Sequence, residues 1–183
     1  MQANALTDQD IAKVARDLRT DMWDHQVKLW PGLKVNSLDA SDPWVATRHL
    51  GYEVQEGWLN HSETRVGFQL GGFIDRPAKL IGLSDQQKPK TMRFTLAHEL
   101  GHLLLHKGMQ HHRERKIHGI TEPSAPLDPK ERQANHFAGC YLVPSKPLRM
   151  AFEECFGVKQ LTLTDDVAYQ LLGEEYVAVE PAV

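Results

Sequence analysis

The sequence predicts an α+β domain, and three observations predict it. Apolar residues recur at helical spacing near the N-terminus, from about residue 89 to 106, and again from 128 to 142. Between residues 52 and 83 the pattern changes to short apolar runs separated by turn residues, the mark of a small sheet. The chain has 183 residues, enough for one domain with extensions rather than two full domains. We divide it into an N-terminal helical extension (1–40), a core (41–156) and a C-terminal helix with a tail (157–183).

The elements follow in order. Residues 7–21 form a helix that Thr7 caps, with Gln9 and Asp10 in its first turn and Ile11, Val14, Ala15 and Leu18 on one face. We expect it to pack at the edge of the fold. Pro31-Gly32 marks a turn. Ser41-Asp42-Pro43 opens a second helix with Pro43 in the first position, and Gly51 stops it after Leu50. Tyr52–Gln55, Val66–Ile74 and Leu80–Leu83 are strand candidates around the turn Asp75-Arg76-Pro77. We expect Leu80–Leu83 to be an edge strand that an extended substrate can extend. A helix from Pro89 to His106 comes next, with Phe94, Ala97, Leu100, Gly101 and Leu104 on one side. Residues 107–127, rich in Gly, Pro and charge, read as a long loop. Asp128-Pro129 opens a further helix that runs to about Leu142 and ends before Pro144. Short helices at 146–156 and 165–172 complete the pattern.

Composition narrows the function classes. Hydrophobic residues are 41% and charged residues 25%, so the chain can bury a core and is not disordered throughout. The formal charge of −3 gives no field that would draw it to nucleic acid or an anionic membrane. Two cysteines form no CxxC pair, and we expect Cys140 and Cys155 to be small buried hydrophobes in a reducing cytoplasmic setting. No apolar run approaches a membrane span, and the N-terminus lacks the apolar stretch of a secretory signal. Trp23, Trp30, Trp44 and Trp58 all lie in the first third, where they should pack the N-terminal part. Of ten histidines, seven fall between His98 and His136, which points to a site.

That site begins with His98-Glu99-Leu100-Gly101-His102, an HExxH motif on a predicted helix. Residues four apart share a helix face, so both imidazoles can bind one Zn²⁺ from the same side. Glu99 lies one step round, where its carboxylate can take a proton from water that zinc has brought to a pKa near 7. In a chain of this composition a chance HExxH is expected about 0.04 times, so the motif alone is suggestive. Its apolar flanks, Phe94, Leu96 and Leu103-Leu104-Leu105, strengthen it by implying burial. Buried His and Glu without partners are expensive, although a histidine pair satisfied without metal is the plainer alternative. The metzincin pattern fails at Leu105 and Gly108. His106 lies two turns from His98, about 12 Å along the axis, and reads as a residue favoured by the helix C-terminus rather than as a ligand.

The third ligand must come from another element. Glu131 is the best candidate, on a helix face with Ala134, Asn135, Ala138 and Leu142. Small residues there, and Gly101 on the motif helix, suit close approach of the two helices. Asn135, one turn on, can accept a hydrogen bond from a ligand histidine's second nitrogen. Against this, Asp128-x-x-Glu131 is also a capping-box pattern. Glu114, Glu122 and Asp128 are the next candidates.

The stretch HELGHLLLH, preceded by Arg93-Phe94-Thr95-Leu96-Ala97 and followed by ERQANHFAG and Tyr141-Leu142-Val143-Pro144, resembles the ImmA/IrrE family of metallopeptidases over roughly residues 41–145. The resemblance implies a compact gluzincin-like fold with a two-helix metal site and a short sheet. It implies zinc on His98, His102 and Glu131, with Glu99 as the catalytic acid and base. It also implies a cytoplasmic protein that cleaves or inactivates a helix-turn-helix repressor.

Other features carry less. The run 111–118 reads as a solvated loop with three histidines and several cations. The chemistry needs an electrophile for the developing oxyanion, and Tyr141, His118 and Arg113 are the candidates. His136 points off the ligand face and is structural. The expectation is therefore a zinc metallo-endopeptidase, with Mn²⁺ or Fe²⁺ as alternative metals. Its partner is a protein substrate, with no direct nucleic acid and no membrane. Two other classes stand beside it. One is a metal-dependent module that sequesters a repressor without cutting it, against which the intact Glu99 argues. The other is a nucleic-acid-binding regulator, against which the net charge argues.

Overall fold

The computed structural model describes residues 6–57, 71–107, 111–113 and 128–160. It is an α+β fold, and two compact units divide it, Met1–Pro147 and Leu148–Val183.

The first unit opens with α1 (Asp8–Asp24). Thr7 caps it: its hydroxyl accepts from Asp10 N, while Asp10 accepts in return from the Thr7 backbone. Ile11, Ala15, Leu18 and Met22 follow at helical spacing and are buried. A single turn, α2 (Gln26–Leu29), and a 3-10 turn (Asp39–Ser41) lead to α3 (Pro43–His49). Asp42 caps α3 by accepting from Trp44 N and Val45 N, Pro43 takes the first position, and Gly51 at φ 79° turns the chain out.

Among the described residues the sheet has four strands in the order β1-β3-β2-β4: β1 (Glu53–Gly57), β2 (Gly72–Asp75), β3 (Leu80–Ser84) and β4 (His111–Arg113). β3 runs parallel to β1 and antiparallel to β2, and β4 pairs antiparallel with β2. This corrects the expectation of an edge strand at Leu80–Leu83. β3 lies between β1 and β2, and Ile81 and Leu83 are fully buried, so no substrate can extend it. The long loop expected at 107–127 contains β4; residues 108–110 and 114–127 lie outside the described residues. So do Trp58, the first part of the Val66–Ile74 strand and the helix expected at 165–172.

The motif helix, α4 (Pro89–Leu105), runs through the middle of the unit. It touches β2 and β3 on one side and α5 (Pro129–Leu142) on another, and α1 covers α5 in turn. Nine consecutive residues, Thr95 to Leu103, are buried, as expected of a helix enclosed all round. Leu96 and Leu100 are wholly shielded, each worth about 1.5–3 kcal/mol of apolar burial. Gly101 permits the α4–α5 contact: a methyl group there would lie 3.0 Å from Ala134 Cα and 3.1 Å from its carbonyl oxygen.

In α6 (Ser145–Phe156), no residue is buried, and Leu148, Met150 and Phe156 are exposed. Cys155 on this helix is exposed as well, which corrects its reading as a buried hydrophobe. Cys140 on α5 is half-buried, and burial raises its thiol pKa.

Candidate metal centre

Two helices bring the site together. α4 presents His98 and His102 one turn apart, with their Nε2 atoms 3.0 Å from each other. α5 presents Glu131 in its first turn, with one carboxylate oxygen 3.2 Å from His98 Nε2 and the other 3.2 Å from His102 Nε2. The capping role is left to Asp128, which accepts from Lys130 N, so the Glu131 carboxylate is turned to the histidines. Both imidazoles are almost wholly buried and Glu131 is about three-quarters so.

The far nitrogen of His98 faces Asn135 Oδ1 at 3.0 Å. An amide oxygen only accepts, so His98 Nδ1 carries the hydrogen, and Nε2 is the ring atom turned towards His102 and Glu131. Two imidazole nitrogens and a carboxylate oxygen, all within 4.8 Å of one another, make a three-donor set. The separations of 3.0–3.2 Å are close to the edge of about 3.3 Å that a tetrahedron with zinc-like bonds of about 2.0–2.1 Å requires. The residues therefore fit a divalent metal on the chemistry of the donor set itself.

Glu99 is fully buried between α4 and β2. A methyl group added at Gly72 would lie 3.1 Å from Glu99 Oε1 and 3.0 Å from Thr95 Cγ2, so these two side chains would have to give way to any larger residue there. Polar contacts hold that approach in place. Thr95 Oγ1 donates to Gln87 Oε1 at 2.6 Å, and Gln87 Nε2 donates to Gly71 O at 2.7 Å. Gly72 and Gln87 carried no signal in the sequence, because their role depends on a strand and a helix meeting.

Three further residues escaped the sequence reading. His106, expected only to favour the helix end, has Nδ1 at 3.0 Å from His102 Nδ1 and Nε2 at 2.9 Å from Gln133 Oε1. Arg76, in the turn between β2 and β3, donates to the carbonyls of His102, Leu103 and His106 at 2.9, 3.1 and 3.2 Å. It thus caps the C-terminal end of α4, where a cation is favoured.

Tyr141 is not brought to the centre, which corrects its place among the oxyanion donors. It lies ten residues along α5 from Glu131, about 15 Å along the axis. Its hydroxyl is buried and donates to the carbonyls of Ala40 and Asp42, each at 3.2 Å. Burial also raises its pKa. Arg113 lies on β4, beside β2, and His118 lies outside the described residues. His136 Nε2 is 3.6 Å from Cys140 Sγ on its own helix.

No helix among the described residues is long and apolar enough to cross a membrane. No curated protein matches the chain. Residues 61–166 match the family model Peptidase_M78, described as the IrrE N-terminal-like domain. The match takes in more than half of the chain and includes His98, Glu99, His102 and Glu131. The chain therefore belongs to this peptidase family, and the family together with the His98–His102–Glu131 group supports a metallopeptidase that acts on a protein.

Proposed function

We propose that the protein is a zinc-dependent endopeptidase of gluzincin type, working in the cytoplasm on a helix-turn-helix transcriptional repressor. His98, His102 and Glu131 hold the metal, Glu99 is the acid and base, and Asn135 orients His98. The observation that carries this reading is the convergence of two imidazole Nε2 atoms and one carboxylate from two helices, next to a fourth residue, Glu99, that is a carboxylate but not part of the set. Two imidazoles and one carboxylate suit Zn²⁺, and the same donors accept Mn²⁺ or Fe²⁺.

When bound, the metal supplies Lewis acidity, lowering the pKa of water and polarising the scissile carbonyl. The chain's own residues do the rest. Glu131 contributes negative charge that neutral imidazoles lack. Glu99 takes the proton of the attacking water and delivers it to the leaving amine nitrogen. Burial of Glu99 under Gly72 limits the positions its carboxylate can take. Arg113 and His118 remain our candidates for stabilising the developing oxyanion, since β4 pairs directly with the strand that covers Glu99.

Incubation of the zinc-loaded protein with helix-turn-helix repressors of its own host, followed by mass analysis, tests the reading. Discrete fragments that are absent with Glu99→Gln support it. A stable complex of intact repressor with both forms replaces cleavage with sequestration. A repressor neither cut nor held refutes the choice of partner.

A further inference from the structure

We propose that His106 and Gln133 are positioning residues that fix the tautomer and ring plane of His102, so that its Nε2 is aimed at the metal before the metal arrives. The inference rests on the metal-centre reading above and extends it to two residues outside the donor set.

Hydrogen positions set the direction of the relay. Gln133 Oε1 only accepts, so His106 Nε2, 2.9 Å away, carries a hydrogen. A neutral His106 then has a lone pair on Nδ1. That atom lies 3.0 Å from His102 Nδ1, so the hydrogen between them belongs to His102. With Nδ1 protonated, His102 offers a lone pair at Nε2, the atom 3.2 Å from Glu131 and 3.0 Å from His98 Nε2. The order is Gln133, His106, His102, metal, with both imidazoles neutral.

Favourable placement at a helix end does not account for this. His106 is 8% exposed, both of its ring nitrogens face a specific partner, and Arg76 holds its carbonyl. Both ligand histidines are thus referred to amide oxygens of α5: His98 to Asn135 directly, His102 to Gln133 through one intervening imidazole. Without that support His102 can rotate and offer Nδ1 instead, and loss of such a partner typically weakens metal affinity about 10–100-fold.

Zinc affinity of the full chain, measured by competition with a chromophoric chelator, tests this alongside thermal unfolding of the metal-free forms. His106→Leu should bind zinc about 10–100-fold more weakly. His106→Asn should recover most of the loss, because its Oδ1 can accept the same His102 hydrogen. A purely structural role would instead lower metal-free stability in His106→Leu and leave zinc affinity of the folded protein alone. Wild-type affinity in folded His106→Leu overturns the proposal while leaving the metal centre standing. A folded wild-type protein without zinc affinity overturns the metal centre and the proposal with it. Should His106→Leu not fold, nitrogen NMR of the zinc-loaded wild type decides. Ligation through His102 Nε2 with a slowly exchanging Nδ1 hydrogen supports the relay, and ligation through Nδ1 refutes it.

Discussion

Among the described residues, two clusters contain two histidines and one carboxylate, and they are built differently. One is His98, His102 and Glu131, between α4 and α5. The other is Asp21, His25 and His49, where the ends of α1 and α3 meet. In the first, the far nitrogens of both imidazoles are taken up by other side chains, so the near nitrogens converge with the carboxylate as three acceptors. In the second, Asp21 is itself the hub: His49 Nε2 lies 2.5 Å from one of its oxygens and His25 Nδ1 lies 3.2 Å from the other. His25 Nδ1 also faces the Asp21 carbonyl at 2.8 Å, so its hydrogen already has an acceptor. Asp21 and His25 are half-exposed, whereas His98 and His102 are almost wholly buried. Residue types and proximity are thus shared, while burial and the partner of each far nitrogen separate the candidate metal centre from a surface hydrogen-bond network.

The largest effect should come from Glu99, the carboxylate beside the buried cluster. Glu99→Gln should lower the peptidase rate about 10²–10⁴-fold with zinc content unchanged. Steady-state rates and metal analysis on one preparation check this. Gly72→Ala attacks the same carboxylate through its roof. A methyl group 3.1 Å from Glu99 Oε1 must push it aside, and we expect a rate loss on the order of 10–100-fold with zinc retained.

Gly101→Ala tests whether the close helix contact assembles the buried cluster. The clash is with Ala134 backbone atoms, which cannot turn away, so the helices must separate. Overpacking should destabilise the protein by about 1–3 kcal/mol, offset by at most about 1 kcal/mol of helix propensity. Denaturant unfolding measures it, and zinc affinity should fall in parallel because α4 and α5 each carry part of the donor set. At the small end, Asp21→Asn should change stability by less than about 1 kcal/mol and leave zinc untouched.

The same contrast explains what the sequence could reveal. The HExxH spacing is a property of one helix, so the pairing of His98 with His102 was legible from four-residue periodicity. Glu131 and Asn135 were legible because small residues on one face signalled a close helix partner, and Gly101 sits against Ala134. Caps at Thr7, Asp42 and Asp128 were legible because capping is local. Gln133, Arg76 and Gly72 were not, since each acts across elements whose mutual placement no local pattern encodes; His106 shares the four-residue spacing with His102, but its other partner, Gln133, lies on α5. Strand order failed for the same reason: β3 sits between β1 and β2, and its apolar run reads alike at an edge or in the middle. Tyr141 was misplaced because its hydroxyl's partners, the carbonyls of Ala40 and Asp42, come from a distant part of the chain and leave no local trace.

The most direct test of the account is zinc stoichiometry across both clusters, measured with thermal unfolding so that folding and metal are read together. The account predicts one zinc per chain in the wild type, in His25→Gln and in His49→Gln. It predicts little zinc in folded His98→Gln, His102→Gln and Glu131→Gln, because an amide in place of the Glu131 carboxylate keeps the shape but loses the charge that the metal needs. Near-stoichiometric zinc in folded Glu131→Gln, or zinc lost on replacing His25 or His49, would contradict it.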